Sequence, residues 1–274
     1  RENYQKWNRT DVRGIMALGS NGEFRWRDDD ESFAVIQAAA ESIDKEKIFI
    51  AGIGRESLHH TLTFLMRVEQ ANLPIDYVSV LTPCYFKGAM SDSALISYYT
   101  TIADKSRYPV LLYSAPSYAN GVFISPDSLK ILADHPNILG IKDTSPNMMQ
   151  VYMDAVGERS DFSVMSGSLS NLITCLNLGG TGGFLSSANY FPNECAKLLN
   201  RIQQEGFQKA EPYYLKLKDL ISHTGGRAGV AGVKVVMNAM GYSGGVPRNP
   251  VLPCNPLICE EIHAYLYDHY STLQ

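Results

Sequence analysis

Short apolar segments recur along this chain at nearly regular intervals, and this rhythm limits the possible folds more than any other feature. Their starts lie 20 to 34 residues apart, which is the length of one strand plus one crossover helix. This alternation predicts a parallel sheet covered by helices. Seven segments are strand candidates: residues 13–18, 47–52, 75–81, 109–114, 138–143, 162–167 and 182–187.

The intervening segments carry helical patterns. Residues 28–44 and 56–72 place apolar side chains three or four positions apart, as on one face of a helix. Ser91 is a favourable N-cap for a third helix, and Pro192 suits the first turn of another. After the last strand the chain is predicted to be helical at residues 207–223, 230–240 and 256–270.

Two architectures fit this alternation, an open doubly wound sheet and a closed (β/α)8 TIM barrel. No GxGxxG sequence follows the first strand, which weakens the dinucleotide-binding version of the open sheet. Polar residues and glycines follow the carboxyl ends of the strands, where a barrel gathers its chemistry. We therefore predict an α/β fold, a (β/α)8 TIM barrel with additional C-terminal helices.

The predicted barrel forms a single domain over residues 1–274. Residues up to about 190 supply its strands and helices, and residues from about 191 to 274 supply the last barrel helix and the C-terminal helices. Only seven strands are visible, and residues 1–10 are polar and resemble a helix or loop. We therefore expect the first barrel strand to be absent from the given chain.

The composition of the chain limits the kinds of binding partner and the compartment that can be expected. The net charge is −4 and runs of Lys or Arg are absent, so neither nucleic acid nor an anionic membrane is expected to bind. No apolar stretch approaches the roughly 20 residues of a membrane span. The five cysteines are scattered without a CxxC pair, which suits free thiols in a reducing compartment. We expect an intracellular protein, cytoplasmic in the first instance, with a mitochondrial location as the alternative.

Lys142 is the residue that most strongly suggests chemistry. It lies near the end of the apolar run Ile138–Asp143, where burial would disfavour its charged form and leave a free amine able to attack a carbonyl. Tyr113 closes the preceding strand, so a barrel would place it beside Lys142 as a proton shuttle. In the Gly19–Glu23 segment, Ser20 and Asn21 offer a hydroxyl and backbone amides to an anion.

Each of these features alone also fits a structural role: a lysine where a strand meets solvent, a core tyrosine, a glycine-rich turn. In combination and in this order, they resemble the pyruvate-type class I aldolase and lyase family that contains dihydrodipicolinate synthase, N-acetylneuraminate lyase and 4-hydroxy-2-oxoglutarate aldolase. The resemblance covers nearly the whole chain. It rests on Gly19-Ser20-Asn21-Gly22-Glu23, Thr82-Pro83-Cys84-Tyr85, Tyr113-Ser114-Ala115-Pro116, Gly140-Ile141-Lys142-Asp143 and Ser166-Gly167-Ser168.

The resemblance implies a (β/α)8 barrel that assembles as a homo-oligomer, a dimer or a tetramer of two tight dimers. It also implies that Lys142 forms a Schiff base with the keto carbon of a pyruvate unit and that Tyr113 transfers protons. Ser20 and Asn21 would hold the pyruvate carboxylate. Tyr85 corresponds to a tyrosine that reaches across the dimer into the neighbouring site.

Two further residues are expected to line the substrate pocket by the same resemblance, Thr144 and Gly167. No cofactor and no metal are expected, since the iminium supplies the electron sink. The six histidines are scattered and match no ligand spacing, which disfavours a zinc-dependent enzyme.

The absence of one arginine narrows the choice among the candidate substrates. Dihydrodipicolinate synthases of this family carry an arginine after the Tyr-x-x-Pro motif, and Ser117-Tyr118-Ala119-Asn120-Gly121 offers none. The motifs are most similar to those of 4-hydroxy-2-oxoglutarate aldolase, so cleavage of that keto acid to pyruvate and glyoxylate is the first expectation. A 2-keto-3-deoxy-sugar-acid aldolase or N-acetylneuraminate lyase comes next, then dihydrodipicolinate synthase, then a non-catalytic barrel relative.

Overall fold

The computed structural model describes residues 1–273, and within them a single seven-stranded sheet forms the centre of the fold. Each strand pairs in parallel with the next strand along the chain, so the order is sequential from β1 to β7. The strands are β1 (Gly14–Ala17), β2 (Ile48–Gly52), β3 (Tyr77–Leu81), β4 (Val110–Ser114), β5 (Ile138–Asp143), β6 (Ser163–Ser166) and β7 (Gly182–Gly183).

Helices connect the strands and continue after the last one. Asp28, Ser57 and Ser91 accept a backbone N–H at the starts of the second, third and fourth helices, which satisfies otherwise unpaired donors. The helices are α1 (Glu2–Asn8), α2 (Asp29–Ala40), α3 (Leu58–Gln70), α4 (Asp92–Lys105), α5 (Pro126–Ala133), α6 (Met149–Val156), α7 (Leu169–Asn177), α8 (Pro192–Glu205), α9 (Phe207–His223), α10 (Gly229–Ala239) and α11 (Pro256–His269).

The predicted alternation is confirmed, with one difference at the last strand. Residues 182–187 were expected to be extended throughout, whereas only Gly182–Gly183 forms a strand and Ser186–Asn189 turns into a 3-10 helix. The two residues of β7 pair in register with Met165 and Ser166 of β6. The turn brings the polar segment after β7 back toward the cavity described below.

Two large apolar cores hold these elements, and a small third cluster joins Leu81, Tyr113 and Ala115. The larger one lies between the sheet and the helices that cover it, and includes Val80, Leu112 and Ile141 from alternate strand positions. The second core joins the C-terminal helices α8 to α11 to the segment after β7, with Phe191 stacked on Tyr270 at 5.3 Å between ring centroids. The C-terminal helices therefore pack as one unit against the end of the sheet.

A β-bulge in β5 decides which side chains face inward. Val110 pairs with Ile138, but the next residue, Leu111, pairs with Gly140, so one extra residue is inserted in β5. Beyond this point Tyr113 is the register partner of Lys142. Strict alternation from Ile138, which packs in the outer core, would have turned Lys142 outward as well.

The sheet and its helices form an α/β fold of the TIM-barrel type. Among residues 1–273, no further strand pairs with the outer edges of β1 and β7, and the interior cavity is lined by residues of both edges. The eighth strand, which would close the barrel, therefore stays a prediction. No helix of the described residues is long and apolar enough to cross a membrane.

Candidate active site

A cavity of about 1200 Å³ opens at the carboxyl ends of the strands and runs into the sheet interior. In parallel α/β folds this end of the sheet is where ligands bind. Six of the seven predicted site residues line the cavity: Ser20, Asn21, Tyr113, Lys142, Thr144 and Gly167.

The Lys142 amine occupies the centre of this group. The residue is only 8% exposed, and its Nζ lies 3.9 Å from the centroid of the Tyr113 ring and 5.5 Å from that of Phe184. Within residues 1–273 no carboxylate or hydrogen-bond acceptor is paired with this amine. An amine that faces a cavity without a partner is available to a ligand carbonyl.

Tyr113 connects the amine to the first loop of the sheet. Its hydroxyl lies 3.2 Å from the Ser20 hydroxyl, and either group can be the donor. A hydroxyl relay between these residues can therefore pass a proton toward a ligand bound at Lys142.

The loop after β1 forms a tight turn that presents donors. Residues Ser20–Gly22 adopt a 3-10 helix, in which the N–H groups of Gly22 and Glu23 bond to Gly19 and Ser20 at 2.9 and 3.0 Å. The N–H groups of Ser20 and Asn21 have no partner in the described part of the chain. We call the Ser20 and Asn21 N–H groups and the Ser20 hydroxyl the anion seat, because free amides at a turn attract anions.

Thr144 and Gly167 form the wall next to the amine. The Gly167 N–H donates to the Asp143 carbonyl at 2.6 Å, so the loop after β6 lies directly against β5. A Cβ atom added at Gly167 would lie 2.3 Å from Thr144 Cγ2 and 3.3 Å from Lys142 Cε. Only glycine leaves both neighbouring side chains in place.

Sequence reasoning missed two residues that follow β7. Phe184 supplies the second ring near Lys142, and the Ser186 hydroxyl accepts a hydrogen bond of 2.8 Å from the Asn21 side-chain amide. Both lie in a segment that was expected to be a strand, which hid the turn that points them toward the cavity. The Asn21 side chain therefore links the anion seat, which follows β1, to the segment after β7 at the opposite edge of the sheet.

Asp143 lies behind the amine, fully buried on the other side of β5. It accepts hydrogen bonds from the Ser145 N–H at 3.0 Å and the Ser145 hydroxyl at 2.6 Å. Burial nevertheless raises the pKa of Asp143 to about 6, since desolvation outweighs these hydrogen bonds. The residue next to the amine is thus a carboxyl group that titrates near neutral pH.

Tyr85 is the one predicted site residue that does not line the cavity. The residue is 77% exposed, and its ring packs edge-on against Phe86 at 5.0 Å between centroids. Its backbone is nevertheless fixed, because the Glu56 carboxylate accepts the N–H groups of Cys84 and Tyr85 at 2.8 and 2.9 Å. The loop after β3 therefore presents Tyr85 outward from a rigid base.

No group of three or more His, Cys, Asp or Glu side chains in residues 1–273 is arranged to hold a metal ion. His59 and His60 are neighbours on α3, with ring centroids 5.8 Å apart, and they line no part of the cavity. The polar groups that line the cavity include those of the anion seat, Tyr113 and Lys142.

Known proteins share this arrangement of elements. The model of the dihydrodipicolinate synthetase family matches residues 7–268. The chain is 28% identical over 257 residues to "Probable 4-hydroxy-2-oxoglutarate aldolase, mitochondrial" of Emericella nidulans, covering 92% of this chain and 81% of the relative. It is 30% identical over 277 residues to the 4-hydroxy-tetrahydrodipicolinate synthase of Haloarcula marismortui, covering 100% of this chain and 87% of the relative.

A solved structure supports the same grouping. YagE, an Escherichia coli K12 prophage protein of the dihydrodipicolinic acid synthase family that was crystallised with pyruvate, superimposes with a TM-score of 0.88 at 27% sequence identity. The superposition covers 98% of this chain and 91% of YagE.

The tight contact at Gly167 leads to a first prediction. Gly167→Ala should lower the free energy of unfolding by about 1–3 kcal/mol, because the added methyl group collides with Thr144. Gly88→Ala is the matched control, since a Cβ atom at Gly88 meets nothing within 4 Å, and its stability should stay within about 0.5 kcal/mol of the original. Urea denaturation followed by tryptophan fluorescence measures both; equal stability of the two variants would contradict the prediction.

The buried Asp143 carboxyl leads to a second prediction. Because its folded pKa lies above the ordinary 3.8, the native state holds a proton that the unfolded chain releases, and stability falls as pH rises from about 4 to 6. Asp143→Asn cannot titrate. The unfolding free energy of the original protein minus that of the variant should therefore fall by up to about 3 kcal/mol between pH 4 and pH 7. A difference that does not change with pH would contradict this.

Proposed function

The chain belongs to the dihydrodipicolinate synthetase family, a family of lyases and aldolases, and from that premise we propose that it is a Schiff-base (class I) aldolase. Its substrate would be a 4-hydroxy-2-keto acid, which it cleaves to pyruvate and an aldehyde. One observation carries the proposal: the unpartnered Lys142 amine faces the cavity 3.9 Å from the centre of the Tyr113 ring.

The first step is formation of the Schiff base. The lone pair of Lys142 Nζ attacks the keto carbon of the substrate, and the keto oxygen leaves as water after two proton transfers. The resulting iminium carries a positive charge next to the bond that must break. Its electron-withdrawing character takes the place of an external Lewis acid.

The second step is cleavage of the C3–C4 bond. Tyr113, which has given its own proton to the departing water in the first step, accepts the proton of the 4-hydroxyl group; the C4–O bond becomes a carbonyl as the C3–C4 electron pair moves toward the iminium. The aldehyde departs and an enamine remains. Protonation of the enamine at C3 and attack of water on the iminium carbon release pyruvate and restore the amine.

The anion seat would orient the substrate for both steps. The Ser20 hydroxyl and the N–H groups of Ser20 and Asn21 are matched to the two oxygens of the pyruvate carboxylate. The 3.2 Å contact between the Ser20 and Tyr113 hydroxyls supports a relay that returns the proton. Thr144 and Gly167 would line the pocket beside the iminium, where the absent Gly167 side chain leaves room for the substrate.

We propose 4-hydroxy-2-oxoglutarate as the substrate, with glyoxylate as the departing aldehyde. The motifs and the similarity to the Emericella relative support this choice. A second candidate, dihydrodipicolinate synthesis from pyruvate and aspartate semialdehyde, is favoured by the similarity to the Haloarcula synthase. The Ser117–Gly121 stretch of the sequence contains no arginine for the carboxylate of that second substrate, which places this activity behind the first.

We also propose that the protein is a homo-oligomer, a dimer or a tetramer, in which Tyr85 contributes to the neighbouring active site. The exposed rings of Tyr85, Phe86 and Tyr118 support this proposal, because such a group of apolar side chains is typical of an interface. The backbone of Tyr85 is already fixed by Glu56, so a partner would meet a preformed surface.

The closed eight-stranded barrel remains part of the proposal. One cavity is lined by both β1 and β7, and Ile48 of the neighbouring β2 is part of its apolar lining. One further parallel strand placed between the two edges would pair their free backbone groups and fill the lower part of this space. The scattered free cysteines support an intracellular location, cytoplasmic or mitochondrial.

The Schiff base gives the decisive test. Incubation with pyruvate and sodium borohydride should reduce the imine and leave one pyruvate-derived group on the peptide that contains Lys142, as read by mass spectrometry. Lys142→Ala should lose both the adduct and the aldolase activity, whereas Lys130→Ala, which removes an exposed lysine of α5, should keep both. Aldolase activity that persists in Lys142→Ala would disprove the mechanism.

Removal of the Tyr113 hydroxyl tests the proton-transfer role separately. Tyr113→Phe keeps the ring over the amine but removes the group that takes the 4-hydroxyl proton, so kcat for cleavage should fall by about 10²–10⁴-fold. Tyr267→Phe, a change to an exposed tyrosine of α11 that does not line the cavity, is the control and should keep kcat near that of the original protein. An unchanged kcat for Tyr113→Phe would assign the proton transfer to another group.

A substrate panel distinguishes the two candidate reactions. Pyruvate release from 4-hydroxy-2-oxoglutarate should exceed, in kcat/KM, the condensation of pyruvate with aspartate semialdehyde. The opposite order would favour the synthase, and pyruvate binding without turnover of any hydroxy-keto acid would indicate a non-catalytic relative.

A further inference from the structure

We propose that Glu23 is a positioning residue that holds the anion seat in shape from the C-terminal part of the chain, through Lys234 and Arg248. We call these three residues the carboxylate clamp. The inference rests on the proposed function, because it assigns the seat to the carboxylate of a keto acid. It adds a residue that contacts neither the amine nor Tyr113.

The backbone of Glu23 ends one turn and begins the next. It has a left-handed conformation, with φ 54° and ψ 38°, which a residue other than glycine adopts only when its surroundings enforce it. Its N–H donates to the Ser20 carbonyl at 3.0 Å, and its carbonyl accepts the Trp26 N–H at 3.0 Å. The conformation of Glu23 therefore determines how the Ser20 and Asn21 amides are presented.

The Glu23 side chain is buried, at 4% exposure, and both carboxylate oxygens have partners. Oε1 accepts the Arg248 N–H at 2.7 Å, and Oε2 lies 3.1 Å from Lys234 Nζ. A buried carboxylate without partners is costly, so these contacts fix its position. Both partners are more than 200 residues away in sequence, one in α10 and one in the loop before α11.

The two partners are themselves held in place. Lys234 Nζ also donates to the Gly244 carbonyl at 3.0 Å, which fixes the loop that carries Arg248. The Arg248 guanidinium pairs with Glu31 through two hydrogen bonds and donates to the Trp26 carbonyl at 3.2 Å. The clamp thus holds the segment after β1 at Glu23 and, through Arg248, also at Trp26 and Glu31.

Neutralising Glu23 should therefore affect binding more than chemistry. Without the negative charge, Lys234 keeps only its hydrogen bond to the Gly244 carbonyl, and the left-handed turn loses one of the contacts that enforce it. The amides of the anion seat can then turn away from the ligand carboxylate. Lys142 and Tyr113 lie on β5 and β4, which the clamp does not touch, so the covalent step should be retained at saturating ligand.

The test measures how borohydride trapping depends on pyruvate concentration. In Glu23→Gln, the pyruvate concentration that gives half-maximal adduct should rise at least tenfold, while the adduct yield at saturation stays within twofold. KM for the hydroxy-keto acid should rise in parallel, with a smaller change in kcat. Glu41→Gln is the matched control, since it removes an exposed carboxylate that pairs with Arg1, and its half-saturation should not change.

A second variant covers the case in which Glu23→Gln does not fold. Arg248→Gln removes only the half-exposed ion pair with Glu31 and the contact to Trp26, and should raise the half-saturating pyruvate concentration about threefold. If the original protein traps pyruvate and the variants that fold need the same pyruvate concentration for half-maximal adduct, the role of the clamp is disproved and the proposed function is not. A wild-type protein that traps no pyruvate would overturn the proposed function and the clamp together.

Discussion

The register between β4 and β5 is the constraint on which the site depends. The outward face of β5 packs Ile138 and Ile141 against the helices, and a regular strand would send Lys142 to that same apolar side as Ile138. The extra residue inserted between Ile138 and Gly140 reverses the alternation and sets Lys142 beside Tyr113. Without the extra residue, the Lys142 amine would be buried in the outer core, where its charge would be costly. With it, the amine faces the cavity.

Three buried ionisable groups, Glu23, Asp143 and Lys142, lie in or next to the site, and they differ in their partners. Glu23 is compensated by a cation and a backbone N–H, and Asp143 by hydrogen bonds that leave its pKa raised to about 6. The Lys142 amine lies near two aromatic rings and has no ionic or hydrogen-bond partner within the described chain. Groups that maintain structure are satisfied within the protein, whereas the group proposed to react is left for a ligand to satisfy.

Local sequence patterns predict much of this arrangement. Each predicted strand begins within two residues of an observed strand, because parallel strands buried on both faces produce apolar runs of distinctive length. Six predicted site residues share the cavity because the carboxyl ends of neighbouring strands lie at one rim. The segment after β7 was misjudged since its glycines and small polar residues fit either an extended strand or a turn. Packing against the C-terminal helices selects the turn.

The contributions of the distant C-terminal residues have no local signature. Lys234 lies within α10 and resembles an ordinary helical lysine, and Arg248 lies in an irregular loop; only the fold brings them to Glu23. Glu23 itself belongs to a glycine-rich motif whose glycines alone predict a turn. Neither Gly19 nor Gly22 has a positive φ; the left-handed residue of this turn is Glu23, whose buried carboxylate is paired with Lys234 and with the Arg248 backbone N–H. The helices after the sheet therefore do more than cover an apolar surface, because they hold the loop that is proposed to bind the substrate carboxylate.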